Sequence, residues 1–331
     1  MASVHVLGEN RYRCYGCGSC CFGHAIELLD DDEKARIEDA GAKLGVPDPV
    51  EGTGVRFENH QCVFHDEDRL CRIHKELGSE IKPLRCQLWP LKIVSTEDGL
   101  RFGVDPGCLN TWRTWDTAEE QQPAPRMVPA PVAVGPDEAP AEEQLLGLLQ
   151  VPNLTVGGLF TVMSGGRDLH AAELPEAIAP RIVARLQALR MGQLLAKAEF
   201  GDGIREPLAH LPAVFDALDR QAPPPLTGTL SDAQQAFVME VARRKVWLRQ
   251  APVRPATHGL AILTMVGAVA CAWADPTPEV FGPALSAWSR LMRFQAFWLR
   301  LAPDHDMLRW VMTGAYEGPF DPWGTVGAKG A

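Results

Sequence analysis

The chain is short of positive charge and of phenolic hydroxyls: 32 Lys and Arg stand against 42 Asp and Glu, a formal charge of −10 over 331 residues, with only three Tyr. Such an acidic surface repels nucleic acid and anionic membrane, so neither is expected as a partner. No apolar run approaches the ~20 residues that span a bilayer. The most apolar stretch, Leu260 to Ala274, is cut off by Asp275-Pro276 and reads as a buried helix of a soluble protein. Met1 to Arg13 carries no apolar segment of the secretory kind, so a cytoplasmic location with reduced thiols is expected. The usual catalytic signatures are missing as well. There is no His-Glu-x2-His, no Gly-Lys-Ser/Thr phosphate loop, no Gly-x-Ser-x-Gly and no strand followed by Gly-x-Gly-x2-Gly. Any chemistry must therefore run on a bound group.

What is present is cysteine. Eight of the nine fall before residue 109, at Cys14, Cys17, Cys20, Cys21, Cys62, Cys71, Cys86 and Cys108, and only Cys271 stands apart. Four of them lie in the eight residues Cys14-Tyr15-Gly16-Cys17-Gly18-Ser19-Cys20-Cys21, where Gly and Ser let the backbone fold back and bring sulfurs to one point. A chain of this length can bury a proper core, so disulfides are not required for stability and a metal cage is the natural reading. Cys14-x2-Cys17-x2-Cys20 has the spacing of bacterial ferredoxins, which favours an iron-sulfur cluster or iron. The immediate Cys21 departs from that pattern, and eight thiols suit two four-thiolate zinc sites equally, so zinc is the alternative. The pairs Cys21/His24, Cys62/His65 and Cys71/His74 add histidines at ligand spacing. Cys17-x3-Cys21 is followed by His24, so the radical Cys-x3-Cys-x2-Cys motif is not met. Cys271, amid Val269, Ala270 and Trp273, reads as a small core residue.

The fold class expected is α+β, mostly α: a small irregular cysteine-cluster domain over residues 1–118, a proline-rich linker over 119–141 and a helical domain over 142–331. Asp30 to Glu33 predicts an N-capped helix from Asp31 to Leu44, ended by Gly45 and Pro47, and its acidic run reads as a solvated first turn rather than a cation site. Val55 and Phe57 predict a short strand, and Lys75 to Gly78 continues a short helix. Leu91 to Val94 and Leu100 to Val104 predict a hairpin turned by Asp98-Gly99. Helices are expected at Leu145 to Leu149, Pro175 to Phe200, Leu208 to Leu218, Ser231 to Arg249, Gly259 to Ala274 and Pro278 to Leu301. Arg243-Arg244-Lys245 with Trp247 and Arg249 predicts a solvated face, with Val241, Val246 and Leu248 inward. Arg85, beside Cys86, reads as a surface ion pair.

Four segments together carry a resemblance: the cysteine run, Cys62 with Cys71-Arg72-Ile73-His74, Lys82-Pro83-Leu84-x-Cys86-x-Leu88-Trp89-Pro90, and Pro106-Gly107-Cys108. Over residues 10 to 110 the chain resembles the YkgJ family of cysteine-cluster proteins, with Trp89 where that family commonly has Phe. The resemblance implies a zinc- or iron-chelating domain. Ile73 to Gly78 is similar also to flagellin lysine-N-methylases, which implies a protein substrate and S-adenosylmethionine as a cofactor. Two readings follow, a metal-dependent protein-modifying enzyme such as a lysine N-methyltransferase, and a non-catalytic metal-chelating or partner-binding module.

Overall fold

The computed structural model describes residues 3–16, 18–21, 26–58, 61–68, 70–124, 127, 129–131, 139–163, 167–171 and 230–250. The helices expected between 175 and 218 and between 259 and 301, and Cys271, lie outside these residues. The described part is α+β, as expected.

Helix α1, Asp31–Leu44, forms where its caps place it: the Asp30 side chain accepts from the Glu33 N–H, and Gly45 closes the helix with φ +67°. Ile37 and Ala40 are fully buried and Leu44 nearly so, which fixes the face that packs inward. The first turn is not wholly solvated. Glu33 is 3% exposed and accepts the backbone N–H groups of Leu29 at 2.7 Å and Leu84 at 2.6 Å. That second bond holds the start of α2, Leu84–Leu88, which carries Cys86. A carboxylate that looked like helix-end charge thus positions a thiol.

Around α1 lie short antiparallel pairs, β2 (Val50–Glu51) with β3 (Gly54–Val55) and β4 (Phe57–Glu58) with β5 (Gln61–Cys62), then a wide one-turn helix Ile73–Leu77. Their inward residues Val55, Phe64 and Ile73 join Ile37, Ala40 and Leu44 in one core, and Cys21 and Cys62 belong to it.

The second unit of the fold is a four-stranded sheet in the order β1 (Val4–Val6), β7 (Gly99–Val104), β6 (Leu91–Thr96), β8 (Ala130–Pro131). β6 and β7 form the expected hairpin, with Thr96 opposite Gly99, while β1 and β8 add in parallel at the two edges. A strand of the proline-rich stretch therefore pairs with the hairpin. Helices α3 (Leu109–Thr114), α4 (Ala139–Leu149), α5 (Val156–Met163) and α6 (Asp232–Trp247) complete the described elements. Ser231 and Gln234 form a capping box at the start of α6, which packs on α4, α5 and β7.

The basic stretch of α6 corrects its expected solvated face. Arg244, Lys245 and Arg249 are 3%, 1% and 5% exposed. Arg244 donates to the carbonyls of Val104 and Glu9, and Trp247 Nε1 to Phe102 O at 2.9 Å. Arg249 and Arg101 share the buried carboxylate of Glu142, at 3.0 and 2.7 Å. Cations that would otherwise be solvated serve here as ties between α6, α4 and the sheet.

Candidate metal centre

The sequence brings its thiols together from four segments, and each segment is fixed by something other than cysteine. Cys20 and Cys21 end a single 3-10 turn, Ser19–Cys21, reached through Gly16 and Gly18, which sit at φ +65° and +71°. Only glycine adopts these angles freely, and a Cβ on Gly16 would stand 3.0 Å from Leu70. Cys62 closes β5, and Cys71 precedes the wide helix, tied to the neighbouring chain by the His65–Cys71 bridge. Cys86 is in the middle of α2 rather than in a loop. Cys108 follows the turn Asp105-Pro106-Gly107, held by Gly107 N–H to Asp105 Oδ1 at 2.7 Å and by the Lys92–Asp105 ion pair at 3.0 Å.

None of the seven described cysteines of the candidate set is joined in a disulfide. They sort into two groups that spacing alone does not reveal. Cys20, Cys21, Cys62, Cys71 and Cys86 lie against the core of α1 and influence one another electrostatically. Cys14 is exposed, Cys108 is buried, and Tyr12 lies between them with its hydroxyl 3.9 Å from Cys108 Sγ. Burial, then the neighbouring Cys108 and Cys14, push the Tyr12 hydroxyl pKa up, so it stays protonated. Cys17 and His24 lie outside the described residues. Among the described residues, no three Cys, His, Asp or Glu side chains form a group that could hold an ion as they stand.

Environment tells more than spacing about what these thiols suit. The hydrogen bond that Cys21 makes to Cys20 raises the Cys21 pKa first, with burial next; burial is the main cause for Cys62, pushed up to about 12, and for Cys71 and Cys86. Each is therefore a neutral thiol without a metal. Yet backbone donors already point at sulfur. Phe64 N–H donates to Cys62, Ile73 and His74 N–H donate to Cys71, and Gly16 N–H reaches Cys14 Sγ at 3.4 Å. The bonds to Cys62 and Cys71 favour the thiolate over the thiol.

Lys82 supplies the missing charge. It stands between two adjoining cavities, both bordered by Cys20, Cys21, Cys71 and Cys86. Burial works against its charge, but Cys20, Cys86, Cys71 and Cys14, in their thiolate form, outweigh it and hold its pKa above the ordinary value. Among the described residues no carboxylate pairs with it. A half-buried ammonium with no carboxylate beside it is partly desolvated, and thiolates gathered on a metal would neutralise it, so the donor set fits a thiolate-bound zinc or iron. Lys82 heads the Lys82-Pro83-Leu84-x-Cys86 segment in the sequence but with no role marked for it there, and Tyr12, two residues before Cys14, carries no motif. Of the histidines, His74 is exposed at the rim of the smaller cavity, and His65 hydrogen-bonds the Gln61 side chain through Nδ1. Arg85 pairs with Glu27 at 3.0 Å, both more than half exposed, as expected of a surface pair.

Residues 13–108 match the family model CxxCxxCC, described as "Putative zinc- or iron-chelating domain". The match opens just before Cys14 and closes on Cys108, so it encloses all eight candidate thiols. No curated protein and no solved structure matches the chain.

Proposed function

We propose that this chain holds a thiolate-ligated metal centre, iron or an iron-sulfur cluster in preference to zinc. Its ligands are drawn from Cys20, Cys21, Cys62, Cys71 and Cys86, with Cys14, Cys17 and Cys108 beside them. One observation carries the reading: the thiols of Cys14, Cys20, Cys62, Cys71 and Cys86 all act on the half-buried ammonium of Lys82, which has no carboxylate partner among the described residues. The preference for iron comes from the Cys14-x2-Cys17-x2-Cys20 spacing. A bound centre of this kind supplies Lewis acidity or one-electron transfer. The protein's own part is to bury the sulfurs, aim backbone N–H groups at them and keep Tyr12 and Lys82 protonated.

Metal analysis of protein purified without oxygen tests this. Stoichiometric iron with acid-labile sulfide and visible charge-transfer absorption is the expected result. Colourless protein with stoichiometric zinc overturns the iron preference, and folded, metal-free protein overturns the centre itself. The finer reading, metal-dependent methylation of lysine on a protein partner, is supported by the similarity of Ile73 to Gly78 to lysine-N-methylases and by the acidic surface, which suits a lysine-rich partner. Its test is binding of S-adenosylmethionine to metal-loaded protein, together with loss of methyl-lysine in cells carrying Cys20→Ala. With metal content confirmed, absence of both leaves the chelating or partner-binding module.

A further inference from the structure

The larger of the two cavities encloses about 680 Å³. That lies within the roughly 300–1,000 Å³ of small-molecule sites and far exceeds what an ion held directly by sulfur occupies. Its wall is mostly apolar, with Phe64, Leu88, Trp89, Ile93 and Met127 among its residues. Its charged residues among those described are Lys82, Arg85, Lys92 and Arg249, and none is Asp or Glu, in a chain of net charge −10. Three of these cations are already paired outside the wall, Arg85 with Glu27, Lys92 with Asp105, and Arg249 with Glu142 and Glu97. Lys82 has no such partner among the described residues. Gln250 lines the same wall, 9% exposed, and among the described residues both polar atoms of its side chain are without a hydrogen-bond partner.

We propose that this cavity binds a small organic anion with an apolar body, its anionic group paired with Lys82 and its body against Leu88, Ile93 and Met127. Gln250 offers the amide that a polar substituent on the body would meet. An amine is disfavoured by the same wall, which has cations and no carboxylate to receive it. Because the cavity shares Cys20, Cys21, Cys71 and Cys86 with the candidate metal centre, a molecule bound here would lie beside the thiols. The proposal concerns the cavity and goes beyond the metal reading.

The test is calorimetric titration of the full chain, as purified, with decanoate and with decylammonium, alongside metal analysis of the same samples. Saturable one-to-one binding of decanoate is expected, at least tenfold tighter than decylammonium. Lys82→Met should weaken decanoate at least tenfold, and Met127→Trp, which adds bulk to the cavity wall and replaces no thiol, should weaken it by a similar factor. No saturable decanoate binding by folded protein, equal binding of the two chain-matched ions, or decanoate binding unchanged in Met127→Trp would each overturn the proposal. Metal-loaded protein that fails to bind decanoate refutes this site and leaves the metal reading standing. Metal-free protein that binds it does the reverse.

Discussion

Replacing Glu142 by Gln removes the one carboxylate shared by two buried guanidinium groups. Glu142 Oε1 accepts from Arg101 Nη1 at 2.7 Å and from Arg249 Nη2 at 3.1 Å, while Oε2 accepts from Arg249 Nε at 3.0 Å. All three residues are below 7% exposed. Breaking a buried ion pair costs about 3–5 kcal/mol, because the remaining charge is left without compensation. Here each arginine keeps a second carboxylate at the rim, Asp98 at 3.2 Å and Glu97 at 2.7 Å, both more than half exposed. Those screened contacts recover part of the loss, which places Glu142→Gln near the lower bound, about 3 kcal/mol. With a urea slope of about 3 kcal/mol/M, the midpoint should fall by about 1 M, as read by circular dichroism. Replacing all three residues together, by Met at 101 and 249 and Leu at 142, should be far milder, since well-packed apolar groups often substitute for a buried triad at little cost. A midpoint shift below about 0.3 M for Glu142→Gln, or a triple variant less stable than the single one, would refute the view that this carboxylate is the charge tie between α4, α6 and β7.

Three further outcomes are expected. Cys20→Ala and Cys62→Ala should each lower the bound metal at least severalfold, whereas Cys271→Ala should leave it unchanged; the opposite ranking in metal analysis would show that ligand and core cysteines have been confused. The buried thiols have raised pKa values, with Cys62 at about 12, so the folded metal-free protein keeps protons that the unfolded chain releases above about 8.5. Its stability is therefore full below that pH and falls above it, by up to about 1.4 kcal/mol per pH unit for each such thiol, and a urea midpoint that rose between pH 8 and 10 would contradict this. A fragment of residues 1–118 should keep the metal stoichiometry, because every candidate thiol precedes its end, yet melt at lower urea than the full chain, because Phe102 and Val104 lose the cover of α6. Loss of metal from a soluble fragment would put the later helices in the cage.

Local signals made part of this fold legible. Asp30 and Gly45 bound α1 at both ends, Asp98-Gly99 turns the β6–β7 hairpin, and Ser231 starts α6, because caps and turns depend on a few adjacent residues. The burial of Arg244 and Arg249 was not legible, since the groups that bury them are distant in sequence: besides Glu240 one turn back, Arg244 donates to Val104 O and Glu9 O, 140 and 235 residues away, and Glu142 takes Arg249 at a separation of 107. Nothing in a local pattern distinguishes such cations from a solvated helix face. The candidate site divides the same way. Cysteine spacing shows which thiols are gathered, but their sorting around Lys82 and around Tyr12 depends on how α1, α2 and the hairpin pack.

The support of the thiols is distributed so that no cysteine segment stands alone. Glu33 on α1 holds the first turn of the helix bearing Cys86, and Asn10 Oδ1 accepts Val104 N–H at 3.1 Å, joining the arm before Cys14 to the strand before Cys108. Charge balance then decides what Lys82 contributes. Four thiolates on a divalent ion leave a net charge of about −2, and burying that charge is costly unless a cation shares the site. In metal-loaded protein Lys82 would offset one unit of that charge at no cost in ligands, and an anion in the adjoining cavity would share the ammonium with the thiolates. Lys82→Met should therefore loosen the centre at least tenfold in competition with a chelator, about 1.4 kcal/mol or more, whereas Lys82→Arg should retain most of the affinity. Metal content and chelator resistance equal to the parent in Lys82→Met, with the fold intact by circular dichroism, would mean that the thiolates need no internal counter-charge and that the ammonium serves only the cavity beside them.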